Sequence, residues 1–320
     1  MLLIALRRIP QLLATLLIIS FLTYMLTSLL PGDPALEILG ANNVTAEQID
    51  AVHTDLGLDD PLPVRYVRWL GGAVTGDLGR SFRTNQDVLE AIVERLPVTL
   101  EVGGLAILIG LSVALPLGAY SAYRAGGIVD KATTTVTFGL LSLPSFMLAL
   151  LFIYTFAVNL SWFPATGWSR LTEGPVENLR GAIMPAMSLA VAEVATFTRL
   201  LRTDMIATLQ QDFVMLAKAK GMPERYILFR HALRPSSLSL ITVLGLNIGG
   251  LIGGAVVVET IFALPGVGRL LVDSVNQRDL LMVQGVVLFV ATSYVVVNFL
   301  VDLAYAAVDP RIRPNRVDAR

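Results

Sequence analysis

Val98-Thr-Leu-Glu-Val-Gly-Gly-Leu-Ala-Ile-Leu-Ile-Gly-Leu-Ser-Val-Ala-Leu-Pro-Leu-Gly-Ala-Tyr-Ser-Ala122 carries a single charge, Glu101, along its whole length. About 20 apolar residues wound into a helix cross the hydrocarbon core of a bilayer. Backbone in that core has no water to bond, so a spanning segment of this kind must be helical. Comparable runs recur at 9–30, 132–158, 183–201, 238–258 and 285–306. The expectation is an all-α polytopic membrane protein with six transmembrane helices.

Composition agrees. Hydrophobic types make up 54% of the 320 residues and charged types 15%, with a mean hydropathy of +0.68. A soluble domain usually carries about 25% charged residues. The absence of cysteine excludes disulfides, thiolate metal sites and palmitoylation. Only His53 and His231 are available as imidazoles, which argues against a histidine metal site or a histidine general base. No H-E-x-x-H or G-x-S-x-G pattern supplies an intramembrane hydrolase.

The first run follows Arg7-Arg8 and is longer than the roughly 7–15 apolar residues of a signal peptide, so it reads as an uncleaved span. Residues 31–97 are polar and acidic, with turn signals at Pro31-Gly32-Asp33-Pro34 and around Gly57. Thr45-Ala-Glu-Gln48 is a capping box, and 63–70 and 87–96 show helical spacing. The resulting division is a first span within 1–30, a small helical extracytoplasmic subdomain at 31–97, a five-helix core at 98–306, and a cytoplasmic tail at 307–320. Trp162 and Trp168 suit an interfacial aromatic belt.

Charge sets the direction. With the N-terminus inside, the cytoplasmic pieces 1–8, 124–131, 199–236 and 309–320 hold fifteen Lys and Arg against six acids. The outer pieces 31–97, 159–181 and 260–284 hold nine against fifteen. Short loops rich in Lys and Arg stay in the cytoplasm, which puts both termini inside.

The 199–236 stretch is more than a connection. Ile206, Leu209, Phe213, Leu216 and Ala217 recur at helical spacing over 205–219. Gly221 suits the left-handed turn that ends a helix, and Pro223 suits the start of the next. A second helix is expected over 223–233, with Pro235 ending it. Two short basic, partly apolar helices joined at one glycine fit either a membrane-surface hairpin or a plug for a groove on a soluble partner.

Other polar residues sit at costly depths. Glu193 lies near the middle of the fourth span, where a carboxylate costs about 2.5–3.5 kcal/mol on insertion scales. It either lines a translocation path, or is protonated or paired with a neighbouring helix and serves only packing. Glu259, followed by Pro265, Gly266 and Gly268, is either an exposed interfacial acid or part of a gate or latch. Gly245, Gly249, Gly250, Gly253 and Gly254 form overlapping G-x-x-x-G spacings for close helix packing, within the chain or against a partner.

The run Asp212-Phe-Val-Met-Leu-Ala-Lys-Ala-Lys-Gly221-Met-Pro-Glu-Arg-Tyr-Ile-Leu-Phe-Arg-His-Ala-Leu-Arg234 closely resembles the "EAA" loop of membrane subunits of bacterial ABC importers. The naming Glu-Ala-Ala falls on Met215-Leu216-Ala217, so only its last alanine is kept. Glu259-Thr-Ile-Phe-Ala-Leu-Pro-Gly-Val-Gly-Arg-Leu-Leu and Asp302-Leu-Ala-Tyr-Ala-Ala-Val-Asp-Pro-Arg-Ile-Arg313 are similar to the dipeptide/oligopeptide/nickel branch of that family. Leu56-Gly-Leu-Asp-Asp-Pro-Leu-Pro-Val-Arg-Tyr and Gly76-Asp-Leu-Gly-Arg-Ser-Phe82 resemble the branch's first permease subunits. The resemblance implies a type I importer permease fold and import of dipeptides or short oligopeptides. It implies a non-catalytic chain in the bacterial inner membrane that binds no cofactor, with ATP and Mg held by partner ATPases. The expected partners are a second homologous permease in a heterodimer, one or two ATPase subunits or a fused double ATPase, an extracytoplasmic peptide-binding protein and the lipid bilayer; no nucleic acid is expected. It assigns ATPase docking to a coupling loop at 205–235, through Asp212, Leu216, Ala217, Lys218, Gly221, Arg225, Arg230, His231 and Leu233. Independently, the sequence contains no Gly-Lys dipeptide and therefore no phosphate-binding P-loop.

An epitope tag inserted near Thr84 should be reached by antibody from outside intact cells. Protection of that tag until the cells are permeabilised would overturn the orientation.

Overall fold

A computed structural model describes residues 2–28, 45–56 and 59–308. The turn signals at 31–34 and 57–58 and the tail from 309 onward lie outside the described residues. Among those described, the protein is helical, without a strand; a lone antiparallel bridge joins Arg80 and Asp87. The chain divides into two compact units, Met1–Pro97 with Gly266–Arg320, and Val98–Pro265.

The first unit contains α1 (Leu2–Ser28), α2 (Ala46–Leu56), α3 (Leu62–Thr75), the opening turns of α4 (Val88–Tyr123), and two C-terminal helices. Helix α1 packs along the last of these, which runs Leu280–Val308. Gln284 Nε2 donates to Thr27 Oγ1 at 2.5 Å across that seam. Helix α3 clasps α1 through aromatic rings. Tyr66 shares a 2.8 Å hydroxyl hydrogen bond with Ser20 and meets the Phe21 ring edge-on at 5.3 Å. Gly76, at φ +92°, ends α3 in the left-handed conformation that costs glycine least.

The turn after Gly76 is held to the C-terminal half of the same unit. Ser81 Oγ donates to the Asp279 carboxylate, and Arg83 Nε donates to the Gln277 carbonyl at 3.1 Å. Asp87 caps α4, its Oδ1 accepting from the Leu89 and Glu90 amides at 2.9 and 3.2 Å. Beneath lies a core of Leu78, Val88, Ala91, Ile92, Val267, Leu270, Met282 and Val286. Gly285 makes this packing possible: a Cβ there would stand 2.4 Å from Val88 Cγ1.

The second unit is assembled on one long helix. It contains the rest of α4, then α5 (Ile128–Leu141), α6 (Ser145–Phe152) and α7 (Pro175–Leu209). After these come α8 (Asp212–Ala219), α9 (Arg234–Gly254) and α10 (Val256–Ile261). Helix α7 packs against α5, α6, α9 and α10. Helix α4 reaches it at two glycines. A Cβ on Gly110 would lie 2.9 Å from Glu193 Cβ, and one on Gly118 would lie 3.1 Å from the Thr198 carbonyl. The main core gathers Val102, Ala106, Ala149, Met184, Ala190, Val258 and Phe262.

Among the described residues, four helices are long and apolar enough to cross a membrane: Ile9–Ser28, Val88–Tyr123, Pro175–Leu209 and Leu280–Leu303. The run expected as one span at 132–158 is a bent pair, Ile128–Leu141 with Ser145–Asn159, at 96°. The bend falls where it must. Pro144 is extended, at φ −61° and ψ 143°, and its ring disfavours helical backbone at Leu143 before it. The π-helical turn Ile153–Asn159 then closes the element. The run at 238–258 is carried by α9, with α10 continuing beyond Ala255.

Two local expectations are corrected. The helix expected over 205–219 breaks after Leu209, and Gln211 is extended before α8 starts. Ile206 and Leu209 pack toward Leu201, Met205 and Ala232, whereas Val214 and Ala217 pack on Ile227, so the break re-aims the second apolar face. Pro235 does not end the next helix either. A π-helical stretch, Ile227–Leu233, leads directly into α9, which begins at Arg234. Proline is tolerated in a first turn because its missing N–H is not called on there.

Gly285→Leu should lower the thermal midpoint of the detergent-solubilised protein, at a cost of about 1–3 kcal/mol from overpacking. Gly104→Ala, where a Cβ meets nothing within 4 Å, should leave it unchanged. Equal midpoints for the two variants would contradict the packing described for Gly285.

Candidate functional site

The loop singled out by sequence is built as a short amphipathic helix, a sharp turn and a continuing helix. Asp212 opens α8, a favourable place for an acid at the positive end of the helix dipole, and Lys218 stands in its last turn. Met222 N–H bonds back to the Ala217 carbonyl at 3.2 Å, and Gly221 N–H to that of Lys218 at 2.9 Å. Gly221 has φ +72° and nothing within 4 Å of where a Cβ would be. The turn therefore requires the backbone freedom of glycine rather than its small size. Pro223, extended at ψ 140°, redirects the chain into Glu224–Tyr226 and the π-helical stretch.

The two faces of α8 differ sharply. Val214 is fully buried and Ala217 nearly so, packed with Ile227 and flanked by Leu209 and Met222. The other face leaves Phe213, Met215 and Leu216 exposed at 46%, 54% and 57%. Lys218 and Lys220 are exposed beside them, as are Arg225, Tyr226, Phe229 and Arg230 farther along. Of the residues singled out from sequence, Asp212, Leu216, Lys218, Gly221, Arg225 and Arg230 lie at the surface. Ala217 is turned inward, and Leu233 packs beside the cluster around Leu201 and Ala232. His231 is half-buried. Its ring meets Tyr226 edge-on at 5.5 Å and lies 6.4 Å from Phe213.

The base of this loop is braced by an ion pair that sequence reading treated only as loop charge. Asp130, almost fully buried, receives both Nε and Nη2 of Arg202, the latter at 2.8 Å. It also accepts from Ser121 Oγ at 2.5 Å and the Gly126 amide at 2.8 Å. One carboxylate thus ties the end of α4, the start of α5 and the last third of α7. Arg202 is 72 residues from Asp130, beyond any local signal of pattern. Tyr123 donates its hydroxyl to the Glu224 carboxylate, joining α4 to the turn after Gly221.

The remaining candidates fall elsewhere in the fold. Glu259 is fully buried and receives Thr99 Oγ1 at 2.6 Å, so the reading as an exposed interfacial acid is overturned. Its carbonyl accepts from the Leu264 amide at 2.8 Å, holding the turn that carries Pro265. Pro265 is exposed, while Gly266 and Gly268 are buried at the start of the helix Val267–Asn276. Glu193 is half-buried and accepts from Asn247 Nδ2 at 2.6 Å. Gly249 is buried on α9, whereas Gly250 is exposed with open space around it. The side-chain surroundings of Gly253 and Gly254 lie outside the described residues. Close approach of α4 to α7 instead runs through Gly110 and Gly118, whose eight-residue spacing holds no G-x-x-x-G signal.

Comparison with known proteins gives these features a setting. Residues 114–314 match the family described as the binding-protein-dependent transport system inner membrane component, and residues 1–103 match its N-terminal companion. A Brucella abortus (strain 2308) relative, provisionally named a peptide transport system permease protein, is 41% identical over 308 residues, 96% of this chain and 98% of the relative. The dipeptide transport system permease protein DppB of Bacillus subtilis (strain 168) is 38% identical over 301 residues, 94% of each chain. The fold is similar to that in inward-facing structures of the MetNI methionine ABC transporter. There the TM-score is 0.56 at 17% identity, over 68% of this chain and 96% of that one.

Leu216→Ser should leave the stability of the purified protein, measured by thermal unfolding, within about 0.5 kcal/mol of wild type, as expected for an exposed position. Val214→Asp should destabilise it by several kcal/mol, because the new charge is buried without a partner. Equal sensitivity at the two positions would refute the two-faced description of α8.

Proposed function

The chain belongs to the family of binding-protein-dependent transport system inner membrane components, and on that footing we propose that it is the permease subunit of an ABC importer for dipeptides and short oligopeptides. The observation that carries this reading is α8. It holds three large apolar side chains in the open beside two lysines, on a segment between apolar spans. Apolar surface left in water costs about 25 cal/mol per Å2, which a partner groove recovers on docking. The partner is an ATPase, supplied as one or two kinds of subunit or as a fused double ATPase, and it binds the ATP and Mg. The chain contributes no phosphate loop of its own, is not itself an enzyme and binds no cofactor.

In this reading Phe213, Met215 and Leu216 enter the ATPase groove, and Lys218, Arg225 and Arg230 meet its rim. Val214 and Ala217 fasten α8 to Ile227, so a displacement of α8 is handed to the π-helical stretch and α9. The Asp130–Arg202 pair hands the same displacement to α4 and α5. A second homologous permease completes the pathway, and an extracytoplasmic binding protein delivers the peptide. The assembly sits in the inner membrane with both termini of this chain in the cytoplasm. The relatives' peptide-transport names support the choice of substrate.

Gly221→Val forces a β-branched residue into left-handed backbone, at about 1–3 kcal/mol of strain. Membrane insertion should be normal and ATP-dependent uptake of a labelled dipeptide should be lost. Wild-type uptake in that variant would sink the coupling role of the loop.

A further inference from the structure

Two polar side chains meet between apolar helices, and among the described residues no opposite charge lies with them. Glu193 lies near the centre of the apolar run 183–201 and Asn247 near the centre of 238–258. Packing of α7 on α9 brings them together, Asn247 Nδ2 donating to Glu193 Oε2 at 2.6 Å. Among the described residues, Asn247 is the one side chain that hydrogen-bonds to Glu193, and no Lys, Arg or His pairs with it. Both side chains are half-buried rather than sealed.

The hydrogen-bond capacity left over is mainly acceptor, with one spare N–H on Asn247. A carboxylate offers about four lone-pair positions, and Asn247 fills one of them. The amide oxygen of Asn247 is an acceptor as well. The pair therefore presents mainly acceptors, on a carboxyl group that carries negative charge when ionised. Helix packing explains its position: Gly110 lets α4 approach until a Cβ there would sit 2.9 Å from Glu193 Cβ. Packing does not explain the charge, since a glutamine would keep the same hydrogen bond without placing a costly carboxylate in hydrocarbon. The flanking residues on α7, in Ala190-Val-Ala-Glu-Val-Ala195, are small, and Ala192 is exposed, leaving room beside the carboxylate.

We propose that Glu193 and Asn247 form a midplane station for the protonated amino group of the peptide in transit. An ammonium group has three N–H donors and no acceptor, the complement of what the pair offers. Charge-assisted bonds of this type are roughly twice as strong as neutral ones, and the low dielectric of the site strengthens them further. The station rests on the import of peptides proposed above. It adds a substrate group and the residues that hold it.

The test uses the complete transporter in proteoliposomes, with binding protein loaded with tritiated Ala-Phe dipeptide. Uptake is normalised to assembled transporter, measured by co-purification of the ATPase. Glu193→Gln keeps the volume and the acceptor for Asn247, and should lower uptake at least tenfold. Glu193→Asp keeps the charge and should retain a third or more. A photocrosslinking residue at Ala192 should capture the labelled dipeptide in wild type and at least tenfold less in the glutamine variant. Uptake and capture within twofold of wild type in Glu193→Gln would overturn the station while leaving peptide import standing, as would equal losses in both variants. No dipeptide uptake by the wild-type transporter would overturn both.

Discussion

A polar group placed in hydrocarbon has no water to fall back on, and the rest of this structure follows from that constraint. The backbone answers it by being helical. The side chains answer it by pairing across helices: Thr99 with Glu259, Asn247 with Glu193, Gln284 with Thr27. These contacts join residues 160, 54 and 257 positions apart, so each fixes two distant segments against each other. At the foot of the core the Asp130 carboxylate receives four donors, two of them from Arg202. Removing one partner from a buried pair of this kind costs about 3–5 kcal/mol, because the other charge is left uncompensated.

Deviations from straight helix sit where the chain must be aimed. Pro144 turns α5 into α6, the gap at Gln211 turns α7 into α8, and Gly221 with Pro223 turns α8 back toward α9. The π-helical stretch before Pro235 keeps that last segment continuous, so the helix that follows the Gly221 turn runs without a break into α9. π-turns inside helices occur often at functional sites. In the proposed importer, this continuity lets a short surface helix act on elements within the membrane.

Several of these features were legible in sequence for clear reasons. Apolar runs report spans because bilayer thickness sets their length, and Gly221 announced its turn because few other residues tolerate positive φ. The basic, partly apolar character of 212–234 marked the loop before its geometry was known. Other features left no local trace. Asp130 and Arg202 are ordinary loop charges until folding brings them together. Gly110 and Gly118 look like any glycines in a span, while Gly250 fits a packing spacing yet faces open space. Pro144 interrupts its span and Pro235 does not end its helix, because a proline's effect depends on whether its missing N–H falls inside a helix or in its first turn.

The amino-acid sequence alone determined the medium, the helical class, the charge asymmetry and the loop with its glycine. All of these depend on composition and on neighbours within a few turns. Tertiary structure decided which polar residues are partnered, that Glu259 is buried rather than interfacial, and which face of α8 is left open. Those outcomes depend on pairs of residues distant in the chain. A side chain's partner is chosen by the packing of whole helices, which local pattern does not encode.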